Sequence, residues 1–147
     1  MGMTPQDVAD WLEIQELIGR YCHRLDAQDW AGFRALFTAD ARFDYAAFGG
    51  IVGGLDALVD SLRATAEGLA GTLHIAASIA IDLDGDRATA RSAGLVPLTV
   101  PLPEGGHVAF IGLWYQDELA RTAEGWRFAS RRQERAFVHN LPAGMTL

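Results

Sequence analysis

Apolar side chains recur every three to four residues in the first half of this chain and every second residue in the second half. Trp11, Ile14, Ile18, Tyr21 and Leu25 fall on one face of a helix, the stripe by which a surface helix packs on a core. Thr4 followed by Pro5 supplies an N-cap and a proline at the first helical position. Asp29 is placed to cap a second, short helix whose apolar side is Trp30, Phe33, Leu36 and Phe37. A strand is expected from Ala41 to Phe48. Gly49-Gly50 and Gly53-Gly54 then punctuate the chain, and a third helix runs from about Leu55 to Glu67 with Leu58, Val59 and Leu62 inward.

From Thr72 to Leu83 the pattern changes to strict alternation, with Leu73, Ile75, Ile79, Ile81 and Leu83 on one side. Asp84-Gly85 is a hairpin signal that matches strand twist. Further strands are expected over Arg87 to Val100, His107 to Leu119 and Trp126 to Val138, with a turn-rich segment from Pro101 to Gly106. Helices first and antiparallel strands after give an α+β domain over 1–147, its helices covering one face of the sheet. An opposite face bearing Leu73, Ile75, Ile79 and Ile81 is too aliphatic to leave in water. Helices or a partner subunit must cover part of it, so a homodimer or homotrimer is expected.

Composition narrows the function classes. Half of the 147 residues are hydrophobic, yet no run approaches the ~20 apolar residues of a membrane span, and no basic-then-apolar leader opens the chain. A net charge of −7 argues against a nucleic-acid phosphate surface. The single cysteine, Cys22, excludes an intrachain disulfide and a cysteine-based zinc cluster. A cytoplasmic globular protein is the expectation, with no metal site, no nucleic-acid partner and no membrane partner.

Few residues invite chemistry. His74 shares a strand face with the small side chains Thr72, Ala76, Ser78 and Ala80, which leave room for a ligand but equally suit a thinly packed face. Asp26 ends the long helix, where a carboxylate is unfavourably placed against the helix dipole and gains from an imidazole partner. It also reads as a solvated carboxylate in a turn. Asp29 is explained by capping alone. Tyr21 and Tyr45 read first as core tyrosines with locally satisfied hydroxyls. Arg131, Gln133 and Arg135 share one face of the last strand if no bulge intervenes. That face is either solvated or aims an arginine at an anionic group. His23, His107 and His139 have no metal-ligand spacing, and phosphate-binding glycine loops and a serine nucleophile elbow are absent from the sequence.

The order of Tyr21, Asp26, His74 and Arg135, with the segments RLDAQDW, FTADARFDY and LWYQDELARTAEGWRF, resembles the SnoaL-like branch of the NTF2-like superfamily over nearly the whole chain. Within it the chain is most similar to bile acid 7α-dehydratases, scytalone dehydratases and hexachlorocyclohexane dehydrochlorinases. The resemblance implies a cone-shaped fold with N-terminal helices packed on a curved, mostly antiparallel sheet, and cofactor-independent elimination. Tyr21, Asp26, His74 and Arg135 match the bile acid dehydratase site. The dehydrochlorinase dyad matches Asp26 and His74, and its late arginine aligns better with Arg131. Scytalone dehydratase contributes a tyrosine matching Tyr45 and a histidine matching His74, while its second histidine falls near Leu98.

That resemblance implies a mechanism. Asp26 would fix the imidazole tautomer and His74 would abstract a proton next to a carbonyl. Tyr21 or Tyr45 would donate to the enolate oxygen, and Arg135 or Arg131 would hold an anionic group or assist departure of water. The same groups support a double-bond isomerase or polyketide cyclase. Other members of the superfamily are non-catalytic binding modules, such as oxygenase small subunits. Trp30, Phe33, Phe48, Phe110 and Trp114 suit a hydrophobic ring compound as the ligand.

Overall fold

The N-terminal helix forms where its caps require. In the computed structural model, which describes residues 2–147, α1 spans Pro5–Asp26. Thr4 Oγ1 accepts the Asp7 N–H at 3.1 Å, and the Asp7 carboxylate accepts the Thr4 N–H at 2.8 Å. This reciprocal box satisfies two otherwise orphaned donors. The face it buries is Ile14, Leu17, Ile18, Tyr21, Cys22 and Leu25. Asp29 then caps α2 (Trp30–Arg34) by accepting the Gly32 N–H at 3.0 Å. α3 (Leu55–Glu67) buries Leu58 and Val59.

Among the described residues seven strands form one curved sheet. They are β1 (Phe37–Asp44), β2 (Val52–Gly53), β3 (Gly71–Thr72), β4 (Ile75–Asp84), β5 (Arg87–Leu102), β6 (Gly105–Thr122) and β7 (Gly125–His139). The order is β2-β1-β7-β6-β5-β3, with β4 also on β5, and only β1 and β7 run parallel. Helices packed on one face of this open sheet make the α+β architecture that the pattern predicts.

Two strands depart from expectation. β1 starts at Phe37, not Ala41, because Phe37 pairs with Phe128 of β7 although Thr38, Ala39 and Asp40 show no apolar alternation. It ends at Asp44, and Ala46–Phe48 is a tight 3-10 turn closed by Gly49 in the left-handed region, φ 72°. The second departure is a bulge in β4, where the pairing with β5 shifts between Ala77 and Ala80 and Ser78 takes φ 52°. One extra residue swaps the faces of a strand. Ile79, Ile81 and Leu83 therefore pack on the core, while Leu73 and Ile75 lie on the outer face, 51% and 43% exposed. The expected uniform aliphatic face is split.

The outer face nevertheless keeps an apolar patch. Ile75, Leu95, Gly112 and Phe137 form one cross-strand row, and Phe110 and Trp114 stand on the same side of β6. A Cβ at Gly112 would overlap the Phe137 ring, so glycine is what lets that ring lie against β6. The inner face carries the core, closed at its base by Asp10 of α1. That carboxylate accepts both Arg121 Nη groups at 2.7 Å and the Trp126 indole N–H at 3.1 Å. The Arg121 guanidinium holds it well below the usual carboxylate range. Among the described residues no helix is long and apolar enough to cross a membrane.

Candidate active site

His74 sits in the break of an edge strand. Thr72 pairs with Leu98 and Ile75 with Leu95, so β3 and β4 share one register along β5. Between them the Leu73 N–H donates to Pro97 O at 3.1 Å, but proline has no N–H to return. In an antiparallel ladder the next residue turns its N–H away from the neighbour strand. That N–H, of His74, donates to Asp26 Oδ2 at 2.9 Å, and His74 Nδ1 lies 2.6 Å from Asp26 Oδ1.

Asp26 is the last residue of α1, so the helix end is carried to the sheet edge and both carboxylate oxygens are used. An ionised carboxylate only accepts. The proton therefore sits on Nδ1, and the lone pair on Nε2, which has no partner among the described residues. A neutral imidazole held in this way can take a proton at Nε2. The two side chains are 16% and 21% exposed, sheltered but open to a ligand.

Both line a cavity of about 580 Å³ whose walls include Leu25, Leu62, Val96, Leu98 and Ile111. Volume and lining are those of a small-molecule site, mostly apolar with a few placed polar groups. Tyr45 and Phe48 also line it. The Tyr45 hydroxyl lies 2.7 Å from that of Tyr21, which is buried behind it. Burial pushes both phenols above their ordinary range, so they remain neutral donors. With Tyr21 donating to Tyr45, the Tyr45 proton is left for a ligand in the cavity.

The arginines do not reach that space. Arg131 is fully enclosed: Nε and Nη2 donate to Asp117 at 2.7 and 3.0 Å. Its guanidinium lies 4.2, 3.9 and 4.5 Å from the ring centres of Tyr21, Tyr115 and Phe128. Burial opposes the charge, but the Asp117 carboxylate outweighs it and holds the guanidinium above its ordinary range. Arg135 is exposed at the rim, donating to Ala47 O at 3.1 Å and Leu147 O at 2.7 Å, with its guanidinium over Phe48.

Neither arginine lines the cavity, where an anion contact was expected of one of them: Arg131 is held by Asp117 with its Nη1 unpartnered, and Arg135 donates to backbone oxygens through Nη2 alone. Trp30 packs on Phe33 and under Arg63, away from the cavity. Phe110 and Trp114 are on the opposite face of the sheet, because β6 turns Ile111, Leu113 and Tyr115 inward. Asp117 and Tyr115 did not stand out in the sequence, and Gln133 was noted only for sharing a strand face with Arg131 and Arg135. Asp117 is the hidden partner of Arg131. Tyr115 and Gln133 line the cavity from neighbouring positions of β6 and β7. Alternation along 111–117 is the signal that could have found Tyr115 and Asp117.

A family model described as a SnoaL-like domain matches residues 6–132. An uncharacterized protein of Mycobacterium tuberculosis is 32% identical over 135 residues, covering 92% of this chain and 91% of that relative. Solved structures share the fold, two of them as follows. A scytalone dehydratase-like protein of Novosphingobium aromaticivorans superposes with a TM-score of 0.84 at 21% identity, covering 98% of this chain and 95% of its own. A hexachlorocyclohexane dehydrochlorinase of Novosphingobium barchaimii gives 0.76 at 18% identity, covering 95% and 94%.

Proposed function

The chain belongs to the SnoaL-like domain family, within the NTF2-like superfamily, and on that premise we propose that it is a cofactor-independent dehydratase acting on a hydrophobic ring compound. The observation that carries this reading is the clamp of Asp26 on His74, 2.6 Å at Nδ1 and 2.9 Å at the backbone N–H, at the wall of an apolar cavity. His74 Nε2 removes a proton from the carbon next to a carbonyl, and the C–H electrons move into an enolate. Tyr45, backed by Tyr21, donates a hydrogen bond to the enolate oxygen. The enolate collapses, the carbon–oxygen bond one carbon further along breaks, and the imidazolium returns its proton to the departing hydroxide. Water leaves and neutral His74 is restored.

A double-bond isomerase is the second reading. With neither Arg131 nor Arg135 in the cavity lining, no guanidinium draws off the leaving group. Return of the proton to another carbon uses the same residues. Appearance of a conjugated enone from a panel of cyclic β-hydroxy ketones tests the dehydratase. Asp26→Asn should lower its turnover on the order of 10²-fold, because an amide no longer fixes the productive tautomer. Turnover of the enone-forming reaction equal to wild type in Asp26→Asn would exclude the clamp from catalysis.

We also propose that a second copy of the chain covers the outer-face patch of Leu73, Ile75, Leu95 and Phe137, each at least 37% exposed. Light scattering should then report a dimer or trimer. A monomeric mass at micromolar concentration would count against it.

A further inference from the structure

The chain contains no lysine, so its permanently cationic side chains are all arginines. None of them lines the cavity that holds His74, and Arg131 and Arg135 beside it are already paired. The one carboxylate side chain in its wall is Asp26, and the charge of Arg131 behind the floor is matched by Asp117. An anion here would lose hydration beside the Asp26 carboxylate with no cationic side chain in the cavity wall to meet it.

The floor of the cavity is polar in a different way. Tyr115 of β6 stands opposite Gln133 of β7, and the pairing of Asp44 with Arg132 brings Tyr45 alongside Gln133. All three line the cavity. Tyr45 is engaged only by Tyr21, whereas Gln133 and Tyr115 have no side-chain hydrogen bond to any described residue. The room for this row is built in. A Cβ on Gly94 would sit 2.9 Å from Tyr115 Cε2, so only glycine lets the phenol ring lie there. The Arg131 guanidinium, 3.9 Å from the Tyr115 ring centre, withdraws density from the phenol and strengthens its O–H as a donor.

We propose that Gln133, Tyr115 and Tyr45 form an oxygen-binding subsite that takes a carbonyl or hydroxyl group of an uncharged ring compound. The substrate is thereby a neutral, oxygenated molecule, and carboxylates and phosphates are rejected. Gln133 is the residue that sets this preference, since its amide donates to an oxygen without carrying charge. Assigning the bound molecule as a substrate rests on the dehydratase reading above. The preference itself concerns binding alone.

The test is titration of the wild-type protein with 2-tetralone, tetralin and tetralin-2-carboxylate, followed by calorimetry or by NMR shift changes. The ketone should bind at least about tenfold more tightly than the carboxylate. Gln133→Leu should weaken the ketone roughly 3- to 10-fold, the worth of one lost hydrogen bond, while leaving tetralin unchanged. Gln133→Met serves as a second variant of matched length, and unfolding temperatures check that both fold. Carboxylate binding as tight as ketone, ketone affinity indifferent to both variants, or no ketone binding at millimolar concentration would each overturn the proposal. His74→Ala should keep the binding preference, so loss of proton chemistry and loss of oxygen recognition are read separately.

Discussion

Replacing His74 with alanine is expected to lower kcat/KM for the substrate found among the cyclic β-hydroxy ketones by ~10²–10⁴-fold, the contribution of one positioned base. The fold should survive. His74 lies at a sheet edge with a partly exposed side chain, and the backbone N–H of residue 74 still donates to Asp26 in the variant. The loss should appear mainly in kcat, because the cavity walls that bind the ring are untouched. His74 and Asp26 act as one unit, so the double variant His74→Ala/Asp26→Asn should be no slower than His74→Ala alone. An additive loss, or turnover within about twofold of wild type, would mean that the imidazole is not the base.

The largest expected effect on stability comes from Arg131. Its side chain is fully buried among three aromatic rings, and its only carboxylate partner, Asp117, is as fully buried. Removing one member of such a pair leaves an unpaired charge in the core, a loss of about 3–5 kcal/mol. Arg131→Met should therefore lower the unfolding midpoint by roughly 6–20 °C, taking ~2–4 °C per kcal/mol for a chain of this size. The double variant Arg131→Met/Asp117→Leu should recover most of that loss, because packed apolar groups replace the pair without a stranded charge. A midpoint for Arg131→Met within about 2 °C of wild type would contradict this role. So would a double variant less stable than the single one.

The helices were legible because their signals are local. Thr4, Pro5 and Asp29 announce helix starts within a turn of where they act, and the stripe from Ile14 to Leu25 records the buried face directly. The strands were legible as alternation, but their faces depend on pairing. Nothing in IAASIAIDL marks Ser78 as a left-handed residue, and one bulge there moves Ile79 and Ile81 to the other side. Phe110 and Trp114 look like pocket residues until their register with Pro97, Ala93 and Glu134 is known.

The site divides in the same way. Asp26 and His74 are 48 positions apart and each is unremarkable alone. Residue order and resemblance brought them together as candidates, and the alternation of the edge strand, which turns the His74 N–H away from β5, explains why it meets Asp26. Arg131 and Arg135 invited a ligand-binding role because an arginine in a strand face needs an acceptor. Those acceptors proved to be Asp117 and two backbone carbonyls, partners that spacing along the chain does not disclose. Gln133 was placed on the same strand face but given no role, since an uncharged amide between arginines suggests none until its place in the cavity floor is seen.

The claim that Asp26 turns His74 into a carbon base can be tested without knowing the natural leaving group. Exchange of the ring protons next to the 2-tetralone carbonyl for solvent deuterium, followed by NMR, reads that one step. The wild-type protein should accelerate exchange well above the buffer rate, and His74→Ala should return it to that rate. Equal acceleration by wild type and His74→Ala would contradict the account.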